Sequence, residues 1–268
     1  MRIAIRHITR YRYDQPASHG LQRLRLAPRS CAVQTVLNWS MEISGARLEA
    51  EYEDHNQNAT SLISFGGAGH EIEVISAGVV ETADSAGVVG KHTGFMPLWA
   101  FINQTELTRP GPLLRRLAGR FSHEKGDTVA TLHALSDAVL EAVVYETGHT
   151  DASTSAEMAL AAGQGVCQDH AHIFIGAARV LGVPARYVSG YLLMDDQAEK
   201  QAGHAWAEAH VEGLGWVGFD VSNAICPDAR YVRVAVGSDY RDAAPVTGVS
   251  LGDGASHLSV ELSVSQQQ

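Results

Sequence analysis

The sequence predicts an α+β protein, and three observations carry that prediction. Residues 1 to about 85 are dominated by segments that alternate apolar and polar side chains. From Leu113 to Gly182 the apolar residues recur at helical spacing, and from His204 onward alternation returns. A period of two belongs to half-buried strands and a period near 3.6 to amphipathic helices. Helices followed by strands around one core give an α+β arrangement.

In order along the chain, Ile3, Ile5 and His7 share one face of a first strand, while Glu71 and Glu73 alternate with Ile72 and Val74 in a later one. Asp54-His55-Asn56-Gln57-Asn58 and Gly66-Gly67-Ala68-Gly69 have turn chemistry between such strands. Residues 1–85 therefore read as an antiparallel β module, expected to pack against the rest of the chain rather than take part in chemistry. Residues 86–112 are broken by Pro97, Pro110 and Pro112 and read as a surface connection, with the stretch from Pro97 bridging the module and the core. The core is expected over 113–268. Leu113–Phe121 and Val129–Tyr145 read as helices, the second on Leu132, Leu135, Val139, Val143 and Val144. Thr154-Ser155-Ala156-Glu157 fits a capping box ahead of Met158 and Leu160. Tyr231–Val236 alternates as a strand that extends the core sheet, and Leu258–Val264 reads as a closing strand.

The chemistry-bearing residues lie between these elements. Cys167 stands in Gly163-Gln164-Gly165-Val166-Cys167-Gln168-Asp169-His170-Ala171-His172, where a glycine-rich turn runs into an apolar helix carrying Ala171, Phe174, Ile175, Ala178 and Leu181 on one face. A thiol in a first helical turn meets unpaired N–H groups and the positive end of the dipole, which favour thiolate and can receive an oxyanion. From His204 to Glu212 the chain alternates, with alanines and Val211 on one side and His204, Trp206, Glu208 and His210 on a polar, aromatic functional face. Gly213-Leu214-Gly215 then turns the chain into a second strand ending at Asp220, and such a hairpin brings Asp220 toward His204. The order Cys, His, Asp suits a nucleophile, its base and an orienting acid, although the same Asp220 could begin a turn through Asn223. Asp169 reads as a helix-end stabiliser, Gln164 as a candidate oxyanion donor, and Trp206 and Trp216 as core or cleft-wall aromatics, with Trp206 a candidate substrate contact.

The stretches Gly165–Tyr191, His204–Asn223 and Pro227–Val249 resemble the transglutaminase-like core, a papain-like fold carrying Cys, His and Asp. Ile8–Asp14 and Leu24–Arg29 resemble the β-rich N-terminal region that precedes this core in bacterial transglutaminase-like proteins. His170 departs from the pattern, standing where an aromatic or apolar residue is expected. The resemblance implies Cys167 as nucleophile, His204 as base and Asp220 as orienting acid, acting through a thioester acyl-enzyme. It also implies a peptide or amide-containing substrate hydrolysed by water, with acyl transfer to an amine and a non-catalytic binding module as the alternatives.

Composition narrows the remaining classes. Twenty Lys and Arg against thirty Asp and Glu give a net charge of −10, which disfavours nucleic acid or an anionic membrane as partner. No apolar run approaches the roughly 18–20 residues that cross a bilayer, and the opening residues lack the apolar stretch of a secretion signal. Three widely spaced cysteines, Cys31, Cys167 and Cys226, argue against a disulfide framework and for a reduced, cytoplasmic setting. The thirteen histidines invite a metal, and His170, His172, His204, His210 and Cys167 are suitable types. But His170 and His172 lie on different faces of a helix, and no Cys-x-x-Cys or His-Glu-x-x-His occurs. Neither metal nor cofactor is expected, and oligomeric state is not legible.

Overall fold

The alternation of the first third becomes six strands in the computed structural model, which describes residues 1–15, 18–67, 69–121, 128–194, 203–251 and 256–267. They are β1 (Arg2–Tyr13), β2 (His19–Ala27), β3 (Gln34–Ser44), β4 (Arg47–Glu53), β5 (Ala59–Phe65) and β6 (Glu71–Thr82). Ile3, Ile5 and His7 are buried together as their shared face requires, and so are Ile72 and Val74. After a short β7 (Val88–Gly90) and a 3-10 turn at Leu98–Ile102 come α1 (Pro112–Ala118), α2 (Thr128–Ala142), β8 (Val144–Tyr145), α3 (Ala156–Ala162), β9 (Gln164–Gly165) and α4 (Cys167–Val180). The strands β10 (Ala185–Leu192), β11 (His204–Val211), β12 (Gly215–Phe219) and β13 (Tyr231–Gly237) follow, then α5 (Tyr240–Ala243), β14 (Val246–Leu251) and β15 (Ser256–Gln267). The mixture of antiparallel sheets and packed helices is the α+β class expected.

The core is α4 laid on an antiparallel sheet of order β13-β10-β11-β12-β7. Every residue of α4 from Asp169 to Arg179 is buried. Its apolar side chains meet the small face of β11, Ala205, Ala207 and Ala209, on one side and α1, α2 and α3 on the others. Alanines on the sheet let the helix approach closely, and each large apolar side chain it buries contributes about 1.5–3 kcal/mol. Arg179 pins the connection to this helix, donating to the carbonyls of Phe101, Ala185 and Ser238 and to the Thr108 hydroxyl.

Several expectations shift in detail. The third helix is capped by Ser155, not Thr154, and Glu157 does not reach back to its own N-terminus. Its carboxylate instead accepts from the N–H groups of Leu113 and Leu114, 2.7 and 3.0 Å away, capping α1. The second helix stops at Ala142, because Val144 and Tyr145 pair in parallel with Gln164 and Gly165. On β11, the face carrying Trp206 and Glu208 is not open: both side chains are fully buried. Glu208 sits there between Arg186 and Arg233, and Trp206 packs with Val188, Tyr231 and Val236. The strand expected at Tyr231–Val236 does extend the core sheet, along β10. The last two strands, which the sequence reading grouped with the core, pair elsewhere: β15 runs antiparallel to β1 and β14 to β2. They complete two four-stranded sheets, β15-β1-β6-β3 and β14-β2-β5-β4, which share Leu24, Leu26, Ile63, Ile72 and Val74 as a core.

This module is fused to the core through the outer edge of β13. An edge strand leaves N–H and C=O groups unpaired, and here two amide side chains take them. Gln34 accepts from the Arg233 N–H and donates to its carbonyl, both at 2.8 Å. Asn58 does the same for Val236, again at 2.8 Å each way. Alongside, Ile3, Ile5, Val80, Leu262 and Val264 pack on Tyr191, Val232 and Val234. Removing either amide leaves two buried backbone groups unpaired, at about 1–3 kcal/mol per group. Asn58→Ala is therefore expected to lower the urea midpoint by an amount worth at least about 1 kcal/mol; an unchanged midpoint would show that water replaces the amide without cost.

Candidate active site

Cys167 opens α4, and the residues before it fix it there. Gly163 ends α3 with φ of 68°, a left-handed conformation that glycine adopts without strain. Gly165 passes so close to Asp169 that a Cβ would lie 2.8 Å from that side chain. The Asp169 carboxylate accepts from the Val166 N–H at 2.8 Å and from the Thr150 hydroxyl at 2.6 Å, which makes it the helix-end stabiliser expected. The Asp169 and His170 N–H groups already donate to the Val166 carbonyl, so at the half-buried Cys167 the helix start offers its first N–H groups, those of Cys167 and Gln168, ahead of the first intrahelical bond.

His204 is the first residue of β11, and its Nε2 lies 2.6 Å from Asp220 Oδ2. With Nε2 on Asp220, Nδ1 is the nitrogen left over, and Cys167 lies near enough to the ring to act on its charge. The hairpin expected from the sequence is present, with Ala207 opposite Phe219 and Val211 opposite Gly215, and it delivers Asp220 beneath the ring. Asp220 satisfies both readings of its position. It caps the turn Val221–Asn223 by accepting from the Asn223 N–H, and it holds His204.

The electrostatics follow from burial and partners. Burial opposes charge on the His204 ring, but its hydrogen bonds to Asp220 and Cys167, with the charges they carry, lift it to about 10. Burial also works against the Asp220 carboxylate, yet His204, Tyr231 and Asn223 hold it below its usual range. Oδ2 accepts the Tyr231 hydroxyl at 2.6 Å and the Asn223 amide at 2.7 Å in addition to the imidazole. Tyr231 and Asn223 carried no role in the sequence reading. Tyr231 lies in a strand expected to extend the core sheet, but nothing local marked its hydroxyl as reaching Asp220 from β13, which pairs with β10.

The two remaining candidates sit differently. The Gln164 amide donates to Glu146 Oε2 at 2.5 Å and does not line the cleft above Cys167. Trp206 packs behind His204, ring centroids 6.2 Å apart and nearly parallel, as a wall for the imidazole. Trp216 is likewise buried and donates to His92. His170, the departure from the family pattern, is buried with one ring nitrogen 2.9 Å from the Val143 carbonyl and the other 2.8 Å from the Ser222 hydroxyl. Burial keeps it neutral, so it ties α4 to the turn after Asp220 and adds no charge to the site. His172 points elsewhere and accepts the Tyr240 N–H. Cys226 packs near His133, and Cys31 lies against Arg233.

Cys167 and His204 open on a cleft of about 400 Å³. One wall comes from the core, with Tyr145, Tyr187, Tyr191 and Tyr240; the other comes from the N-terminal module, with His7, Thr9, Tyr11 and Arg25. The module is thus more than the packing domain its sequence suggested. His7 bridges the walls, bonded to the Tyr191 hydroxyl at 2.9 Å and to Thr9 at 3.2 Å, and burial lowers its pKa to about 4, which keeps it neutral.

Comparison with known proteins agrees with this layout. The family model of the transglutaminase-like superfamily matches residues 115–221, and that of the bacterial transglutaminase-like N-terminal region matches residues 3–81. The chain is 30% identical over 282 residues to the uncharacterized protein ML0607 of Mycobacterium leprae, with 99% of each chain covered. It is 28% identical over 279 residues to the uncharacterized protein Rv2569c of Mycobacterium tuberculosis, covering 92% of this chain and 87% of the relative. The crystal structure of a candidate cysteine protease from Cytophaga hutchinsonii shares the fold, with a TM-score of 0.77 at 22% identity over 100% of this chain and 92% of that one.

The raised His204 pKa has a measurable consequence. Its folded value of about 10 lies above the 6.5 of an unperturbed ring. Its contribution to stability is therefore fully present below pH 6.5 and is lost as pH rises through about 10. Imidazole NMR signals of His204 are expected to titrate near pH 10, and Asp220→Asn is expected to bring that midpoint down. A wild-type midpoint near 6.5 would contradict the charged pair.

Proposed function

Because the chain belongs to the transglutaminase-like superfamily, we propose that it is a cysteine-dependent hydrolase of amide bonds in peptides or other amide-containing substrates, working through Cys167, His204 and Asp220. The observation that carries the proposal is that Cys167 and His204 line one cleft, with the far nitrogen of the His204 ring held by Asp220 at 2.6 Å.

The thiolate of Cys167 attacks the carboxamide carbon, and the carbonyl π electrons move to oxygen. The Cys167 N–H at the start of α4 receives that oxyanion. On collapse the C–N bond breaks, the imidazolium gives its proton to the departing amine, and a thioester to Cys167 remains. Water then attacks the thioester and gives a proton to His204; collapse expels Cys167 as thiolate and releases the acid. Asp220 holds the ring in one orientation and stabilises its charge at both stages.

Water is favoured over a lysine amine as acceptor by the lining of the cleft. It contains no Asp or Glu among the described residues, so nothing there would hold an incoming ammonium. Arg25 faces the cleft instead, paired with Asp54 at 2.8 Å, and its Nη1 is buried without a hydrogen-bond partner among the described residues. The cysteines are unpaired, which supports a reducing compartment such as the cytoplasm for a thiol enzyme.

The test is turnover of an amide substrate, beginning with glutamine-containing peptides offered with and without a primary amine. Release of acid or ammonia that a modest amine concentration barely diverts is expected; predominant amine incorporation would assign transfer instead. Cys167→Ala is expected to abolish turnover and His204→Ala to cost nearly as much, since such residues act as a unit. Asp220→Asn should fold and lose roughly 100- to 10,000-fold in turnover, while Cys31→Ala and Cys226→Ala stay active. Full activity in Cys167→Ala would overturn the mechanism.

A further inference from the structure

A second cleft, of about 550 Å³, opens on the other side of β10. Tyr187 lines the cleft above Cys167 and its neighbour Arg186 lines this one, as successive side chains of a strand must point to opposite faces. Three parts of the chain meet here: the loops around Arg29 and Asn56 from the N-terminal module, the connection from Val89 to Gly94, and Arg186, Trp216 and Arg233 of the core sheet.

Its charge is one-sided. Arg29, Lys91, Arg186 and Arg233 line it, and no Asp or Glu among the described residues does. Beneath the surface the fully buried Glu208 bonds both Arg186 and Arg233, at 2.7 and 2.6 Å. Outside it, Arg29 pairs with the exposed Glu53 at 2.8 Å. Two carboxylates thus face four cations, and Lys91 has no ion-pair partner among the described residues, so two positive charges are left over. A chain with a net charge of −10 has concentrated them in one concavity. The cations at its base are also held in place. The Arg186 guanidinium lies 4.0 Å above the Trp216 ring, and Arg233 is held by Glu208. One acceptor remains as well: the buried Oδ1 of Asn56 has no hydrogen-bond partner among the described residues.

We propose that this cleft binds a small hydroxylated dianion, a phosphate ester or a hydroxy-dicarboxylate. The two uncompensated cations match its charge, the guanidinium edges of Arg186 and Arg233 offer donors to its oxygens, and Asn56 Oδ1 takes its hydroxyl. Bound there, the ligand touches module, connection and core together, so it holds the N-terminal wall of the first cleft in place without approaching Cys167.

Calorimetric titration of the full chain with glycerol 3-phosphate and with malate, at fixed ionic strength, tests this. Saturable binding of at least one is expected, weakened at least about tenfold in the double variant Lys91→Glu, Arg29→Glu, and measurably in Lys91→Ala. Both side chains are exposed, so the variants should keep the wild-type circular dichroism. Saturation by glycerol 3-phosphate alone assigns the phosphate source, and by malate alone the carboxylate source. No saturable binding of either, or binding undiminished in the folded variants, overturns the proposal.

Discussion

The Asp220 carboxylate is almost completely buried, and that constraint organises the molecule around it. A buried charge is costly unless paired and hydrogen-bonded, and Oδ2 receives donors from three elements: His204 on β11, Asn223 in the following turn, and Tyr231 on β13. Those contacts can coexist only if β11, β12 and β13 keep their positions in the sheet. The imidazole they orient then has one nitrogen left, and the position of Cys167 follows from α4 being buried on all sides. Cys167 and His204 are held by different elements, the first by the helix packing and the second by the sheet, and they meet at the mouth of a cleft.

The N-terminal module completes what the core leaves unfinished. Gln34 and Asn58 occupy the open edge of β13, and His7, Thr9, Tyr11 and Arg25 form the wall opposite Cys167. The same strand that is sealed by the module carries Tyr231, so sealing the edge and holding Asp220 are coupled through β13. The pairing of β15 with β1 and β14 with β2 brings both ends of the chain into the module, leaving the helices and the central sheet between them in sequence.

Much of this was legible in the residues. The helical spacing after Cys167, the alternation after His204 and the turn at Gly213-Leu214-Gly215 are local patterns, and the structure realises each one. Asp169 acts on the Val166 N–H three residues before it, which is why that helix end could be read, whereas the cap of α3 fell on Ser155 instead of Thr154 and Glu157 chose another helix. What was not legible depends on contacts between segments far apart. Glu208 looked like part of an open polar face because alternation reports which side a residue is on, not whether a second layer covers it. Tyr231 and Arg25 reach the site by strand pairing and sheet packing, for which a single sequence carries no local mark. The last strands were grouped with the core for the same reason, their alternation being equally compatible with either sheet.

The central claim is that Cys167 works with a His204 ring held by Asp220. It is tested most directly by the alkylation rate of each cysteine at neutral pH, followed by mass spectrometry, in the wild-type protein and in His204→Ala. Cys167 is expected to react well ahead of Cys31 and Cys226 and to lose that lead when His204 is removed. A Cys167 that reacts no faster than Cys226, or that keeps its lead in a folded His204→Ala variant, would contradict the account.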